Sequence, residues 1–335
     1  MRMTPGLVLV GSVMVFSAST FAVIVVPWLG LREQAPSGIW RELKPEEEAG
    51  RRLYASNGCT YCHSQFVRTQ DWDLGMERVS QEGDYVAQSP HLLGTSRTGP
   101  DLAQEGGEHP DDWHLAHFAN PRNTRPQSLM PKFGWLKPEE TRQLIAYVQS
   151  LGGRQADKRV ARQKEWKAKA VAAYRAGADA NIRWLHDHVP EPWRAMPNPY
   201  PATAGSLARG EKVYQDFCTG CHGPVGDGQG PSEAFMDPPP LNFTTLRRNL
   251  VEGKYIGGIL YYQIMNGITG TAMPYFKHEL ESAKIWDVSN FIAVNFIGFD
   301  DSNTEPAGID ASYEPMRGER PASGKWSDEG QVDAP

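Results

Sequence analysis

Cys59-Thr60-Tyr61-Cys62-His63 and Cys218-Thr219-Gly220-Cys221-His222 are two copies of one pattern, and they hold all four cysteines of the 335-residue chain. C-x-x-C-H is the attachment pattern of c-type haem. The paired thiols, Cys59 with Cys62 and Cys218 with Cys221, bond the porphyrin vinyl groups, and His63 or His222 is left facing the iron. A four-cysteine zinc ribbon needs its pairs roughly 15–20 residues apart, whereas about 155 residues separate these two. Zinc also gives the repeated histidine no role. Two covalently bound haem c groups therefore consume every thiol, and none remains for a disulfide.

Working outward, the same order of signals surrounds each motif: a short helix, C-x-x-C-H, a proline-bearing loop, Met-Pro, and an amphipathic helix. The leading helices read Glu47-Glu48-Ala49-Gly50-Arg51-Arg52-Leu53-Tyr54 and Ala208-Arg209-Gly210-Glu211-Lys212-Val213-Tyr214. The closing helices carry apolar stripes at helical spacing, Leu144, Tyr147, Val148 and Leu151 in one, Ile285, Val288, Phe291 and Ile292 in the other. Gly50 and Gly210 lack a Cβ and let the closing helix come close, with Tyr147 and Phe291 as partners across the crossing. Such stripes alone mean only a core. Repeated in this order around a haem motif, they resemble the class I cytochrome c fold, twice over in a mainly α chain.

Haem iron needs a second axial ligand to transfer electrons without binding a substrate. Met130 in Ser128-Leu129-Met130-Pro131 and Met273 in Thr271-Ala272-Met273-Pro274 are the candidates, and thioether ligation raises the potential relative to bis-histidine. Two such ligands argue against a dihaem peroxidase, which needs an open iron site, and the chain is expected to have no active site of its own. The second nitrogen of each axial histidine needs an acceptor to fix its tautomer. Pro100 and Pro239, in corresponding Pro-x-Leu loops, are expected to supply the carbonyls, and Arg97 reads equally as the partner of a haem propionate or as a surface arginine. His114 and His117 lie three apart without a third metal ligand, so they read as surface or loop-packing residues, like His186 and His188.

From Gly6 to Leu29 runs a stretch of about 24 uncharged residues, roughly 36 Å of helix and enough for a bilayer core of about 30 Å. Apolar residues continue beyond Ala18, Ser19 and Thr20, which favours an uncleaved anchor over 1–31, with Trp28 in the outer aromatic belt. Arg2 places the N-terminus in the cytoplasm, and attachment of c-type haem on the outer side of an energy-transducing membrane places the rest in the periplasm, tethered to the inner membrane. The expected plan is the anchor, a cytochrome domain over 40–152, a linker over 153–204, a second cytochrome domain over 205–298 and an acidic disordered tail over 299–335. From Arg154 to Leu185 the linker carries nine Lys/Arg against three Asp/Glu and reads as a solvated helical spacer, the alternative being a docking surface for a partner or anionic headgroups, followed by an extended proline-rich connector over 190–201. A net charge of -6 excludes nucleic acid as the target.

Residues 20–152 also resemble the mono-haem, single-anchor subunit II (FixO/CcoO-like) of cbb3-type, C-family haem–copper cytochrome c oxidases. The stretches that carry this are Gly58-Cys59-Thr60-Tyr61-Cys62-His63-Ser64-Gln65, Arg97-Thr98-Gly99-Pro100-Asp101-Leu102, Trp113-His114-Leu115-Ala116-His117, Asn120-Pro121-Arg122, and Met130-Pro131 with Trp135-Leu136. Residues 205–298 are similar to a haem domain of the oxidase's other cytochrome subunit (FixP/CcoP-like), here as a fusion, which leaves open a further cytochrome c subunit. The resemblance implies a multi-helix haem–copper catalytic subunit as partner and a soluble cytochrome c or quinol-oxidising complex as donor. Electrons would run from the second haem to the first. The alternatives are the cytochrome c subunit of a nitric oxide reductase or another divergent haem–copper reductase, and a tethered electron shuttle.

Overall fold

The computed structural model describes residues 4–31, 34–74, 78–94, 96–194, 196, 198–248 and 257–298, so the expected acidic tail lies outside the described residues. These are helical, without a strand among them. Helix α1 (Pro5–Thr20) starts where Thr4 accepts a hydrogen bond from Leu7 N and Pro5 supplies a first-turn residue with no N–H to satisfy. It continues through one wider turn, Phe21–Val25, into Val26–Leu31. Over Pro5–Gly30 its 26 residues have a mean hydropathy of 2.3, and it is long and apolar enough to cross a membrane.

The first C-x-x-C-H lies between α2 (Pro45–Ser56) and α3 (Asp111–Ala119), with α4 (Pro138–Ser150) closing the unit. Helices α2 and α4 begin with the same chemistry, Lys44-Pro45-Glu46-Glu47 and Lys137-Pro138-Glu139-Glu140. The proline opens the helix, and the second glutamate turns back to accept the lysine N–H, at 2.8 Å in each. The two helices cross at Gly50, where a Cβ would lie 2.8 Å from Tyr147 Cβ and closer still to the Gln143 carbonyl. That approach brings Tyr54 and Tyr147 edge to face at 5.3 Å in a core with Leu144, Val148 and Phe118.

The second unit repeats the crossing with α7 (Ala204–Phe217), α8 (Gly257–Asn266) and α9 (Ser282–Ile292). A Cβ on Gly210 would lie 2.8 Å from Phe291 Cβ and closer to the Asp287 carbonyl. Both expected glycine–aromatic pairs therefore mark real helix crossings. Buried Asp287 fixes the register by accepting from Ser206 Oγ at 2.7 Å and Arg209 Nε at 2.7 Å.

Residues 153–204 depart from the expected solvated spacer and extended connector. Helix α5 (Gly153–Arg175) is pinned to the first unit by Arg41, which spans Glu47 and Asp157, and by Arg159, which donates to the Gly106 and Gln104 carbonyls. It also meets the second unit, where a Cβ on Gly270 would lie 2.7 Å from Trp166 Cβ. Helix α6 (Ala178–Asp187) then leads to Trp193, stacked on Tyr261 at 5.3 Å, and to Asn198, bonded to Asn290 at 2.5 Å. Arg154, Lys158, Lys164 and Arg175 face solvent while Ala156, Ala170 and Leu185 are buried, a division that composition alone does not reveal.

Candidate haem sites

In the first site Gly58 takes a left-handed conformation (φ 73°) that ends α2 and turns the chain into the tight Cys59–Tyr61 coil. The His63 N–H donates to Cys59 O at 2.9 Å, so both thiols and the imidazole are presented within little more than one turn. His63 Nδ1 donates to Pro100 O across 2.9 Å, which leaves Nε2 with a free lone pair. The loop that brings Pro100 there is held twice, by Gly99 N to Cys62 O at 2.9 Å and Leu102 N to Ser64 O at 2.7 Å. Gly99 lies flat against the ring; a Cβ there would sit 2.8 Å from His63 Nδ1.

The second site is built alike. Cys218 ends α7, His222 N donates to Cys218 O at 2.9 Å, and the imidazole stacks on Phe243 at 4.5 Å. Its Nδ1 meets Leu241 O at 3.1 Å. This corrects the expected acceptor, Pro239: the matching carbonyl comes two residues later. Burial lowers the His222 pKa to about 4, so the ring is neutral, as a ligand histidine must be.

Arg97 is also differently employed from both expected readings. It donates to Ser64 Oγ at 2.6 Å and Phe66 O at 2.6 Å, and pairs with Asp71 at 2.8 Å and Asp101 at 3.3 Å. Asp101 in turn accepts from Ser64 Oγ at 2.5 Å and Phe66 N at 2.9 Å. The Ser64-Gln65 continuation and the 97–102 loop are thus two sides of one network that fixes the loop holding His63. Gln65 completes it, accepting from Tyr147 OH at 3.0 Å.

Met130 and Met273 occupy matching turns. In each, a hydroxyl two residues upstream accepts the methionine N–H, Ser128 at 3.2 Å and Thr271 at 3.1 Å. Met130 and Cys59 border the same apolar cluster, and Met273 and Cys218 border the other. Burial raises the Cys59 thiol to about 11 and the Cys218 thiol to about 12, which keeps both protonated and apolar. Thioether-forming cysteines, a tautomer-locked imidazole and a methionine around one apolar core form a donor set that fits haem c at both positions.

His114 is not a surface residue; only 2% of it is exposed. It packs among His109, Trp113 and Phe118, and burial lowers its pKa to about 4. His117 lies beside Met130, its Nε2 3.2 Å from Sδ and its Nδ1 2.7 Å from Thr124 Oγ1. His188 packs between Trp166 and Trp184. The H-x-x-H spacing on a nine-residue helix signals this layer of rings, but nothing in the spacing says that a methionine turn lies against it.

The family model described as cytochrome c oxidase, mono-haem subunit/FixO matches residues 1–176, and the cytochrome c model matches residues 207–294. A chain of the Kuenenia stuttgartiensis reducing HAO-like protein complex aligns at 19% identity over 76% of this chain and 98% of its own, with a TM-score of 0.24, too low to carry an argument. No curated protein matches the chain.

Proposed function

The chain belongs to the cytochrome c oxidase mono-haem subunit (FixO) family, with a cytochrome c domain joined after it, and from that premise we propose that it is the membrane-anchored dihaem electron-input subunit of a cbb3-type-like terminal oxidase. The observation that carries this reading is the pair of matched sites, each with C-x-x-C-H, a carbonyl-locked histidine and a hydroxyl-pinned methionine. Cys59, Cys62, His63 and Met130 would hold haem 1; Cys218, Cys221, His222 and Met273 would hold haem 2. When bound, the groups supply one-electron chemistry at iron. The protein's own part is to fix the two axial ligands, exclude water with the cores around Tyr54 and Tyr214, and hold the histidine N–H on Pro100 O or Leu241 O.

Helix α1 anchors the chain in the inner membrane with its N-terminus cytoplasmic and both units periplasmic, beside a multi-helix haem–copper catalytic subunit. A soluble cytochrome c or a quinol-oxidising complex would deliver electrons at the unit of Cys218, Cys221, His222 and Met273, and the unit of Cys59, Cys62, His63 and Met130 would hand them on to the catalytic subunit. Reductant-driven gas uptake by the detergent-solubilised complex captured through this chain tests the reading, with O₂ and NO side by side. Rapid O₂ uptake with a haem–copper subunit present supports it. NO reduction with little O₂ uptake moves the chain to a nitric oxide reductase, and turnover of neither gas with no partner leaves a tethered shuttle.

A further inference from the structure

The two units meet through α3. Trp113 and Ala116 of that helix are buried, 7% and 0% exposed, in one cluster with Met236 and Ala272 of the second unit, and Cys221 borders the same cluster. Ala272 immediately precedes Met273, so this face touches the second site from its thioether side and its methionine side. The turn after α3 continues the contact: a Cβ on Gly220 would lie 2.9 Å from the Asn123 carbonyl carbon. Arg125 fastens the edge, paired with Glu279 and lying 5.2 Å above the Phe276 ring, while Asp112 accepts from Lys167 and from Asp237 N. Little freedom is left between the units where they touch.

From that face a row of rings leads to the first site. Trp113 stacks on His117 with centroids 4.6 Å apart and planes 11° from parallel, and His117 Nε2 reaches Met130 Sδ at 3.2 Å. A ring proton on Nδ1 would leave the Nε2 lone pair facing the sulfur lone pairs. With it on Nε2, that N–H donates to sulfur and Nδ1 accepts from Thr124 Oγ1 at 2.7 Å, the hydroxyl proton turning there from the more distant Pro121 O at 3.3 Å.

We propose that Trp113 and His117 form the bridge by which an electron passes from haem 2, on Cys221, to haem 1, whose iron Met130 ligates, with His117 positioning the Met130 thioether through an N–H···S bond. One electron leaves ferrous haem 2, which becomes ferric, and reduces ferric haem 1 to ferrous; no proton moves and no bond forms or breaks. Tunnelling decays faster across gaps than through packed atoms, and these rings give continuous contact from the Cys221 cluster to the Met130 sulfur. The inference rests on the two-haem reading above.

The full-length chain in detergent, carrying both haems, is reduced by a short one-electron pulse and the redistribution between the haems is followed optically. Trp113→Leu should slow the transfer several-fold and Trp113→Phe, which keeps a ring and the packing, should slow it less. His117→Leu should slow it too. Removing the donor from the sulfur makes the thioether a stronger electron donor to iron, so this variant should also lower one haem's potential by about 59 mV, about tenfold in the reduction equilibrium, and shift the thioether-to-iron charge-transfer band. Unchanged transfer in Trp113→Leu and His117→Leu overturns the bridge, and so does an unchanged potential and band in His117→Leu for the N–H···S bond. A wild-type chain with fewer than two covalent haems, or with no thioether band, overturns the underlying site assignment instead.

Discussion

Within α7, two glycines five residues apart should respond in opposite ways to the same added methyl group. A Cβ on Gly210 would sit 2.8 Å from Phe291 Cβ, 2.7 Å from the Asp287 carbonyl carbon and nearer still to its oxygen, where ordinary contact begins at 3.4 Å. Two of the three obstacles are backbone of α9, so α7 and α9 must separate by a substantial fraction of an ångström or more. Overpacking of this kind costs about 1–3 kcal/mol, and the better helix propensity of alanine returns only about 1 kcal/mol. The separation also strains the Ser206 and Arg209 bonds to buried Asp287, so Gly210→Ala should lose on the order of 1–3 kcal/mol net. Gly205 meets nothing nearer than a flexible Arg209 Nη1 at 3.5 Å, and Gly205→Ala should be neutral or stabilising. Denaturant unfolding of the holoprotein, followed by far-ultraviolet circular dichroism, reads both. A Gly210→Ala midpoint equal to or above that of the wild type would refute the close crossing.

Gly99→Ala should push the His63 ring off its Pro100 bond without preventing thioether formation, and electron paramagnetic resonance should then show part of one ferric haem as high-spin. Met273→His should lower the potential of one haem and leave the other unchanged in a redox titration, because bis-histidine ligation stabilises ferric iron relative to histidine–methionine. His114 supplies a pH dependence. Its folded pKa is lowered to about 4 by burial, against an unfolded value of about 6.5. Between these the unfolded chain binds a proton that the folded chain refuses. The stability present above pH 6.5 is therefore lost as the pH falls toward 4, by at most about 3 kcal/mol. His114→Leu should flatten the denaturation midpoint over that window.

Both haem motifs, the repeated order of helices around them, the glycines at the two crossings and the apolar N-terminal helix are legible in the sequence because each is a local pattern: a spacing, a missing side chain or an unbroken apolar run. The first histidine's carbonyl was within reach for the same reason, since Gly99-Pro100 packs directly on His63. The second was not, because the loop from Gly223 to Leu241 folds back over a different path and delivers Leu241 where the Pro-x-Leu match suggests Pro239. Arg97 shows the same limit: a charge beside a haem motif suggests a propionate, and only the folded chain brings Asp71 and Asp101 around it. The 153–204 strap reads as a spacer because composition counts charges and cannot tell which face of a helix they occupy.

The pairs of thiols and the histidine that each unit offers are legible in the chain alone, because such a motif is a set of particular atoms at fixed short intervals. How the units sit together was decided only by the tertiary structure. The contacts of Trp113, Ala116 and Asn123 with Gly220, Met236 and Ala272 join residues that lie from 97 to 159 positions apart. They depend on the complementary shapes of two folded surfaces, and those shapes exist only after each core has packed.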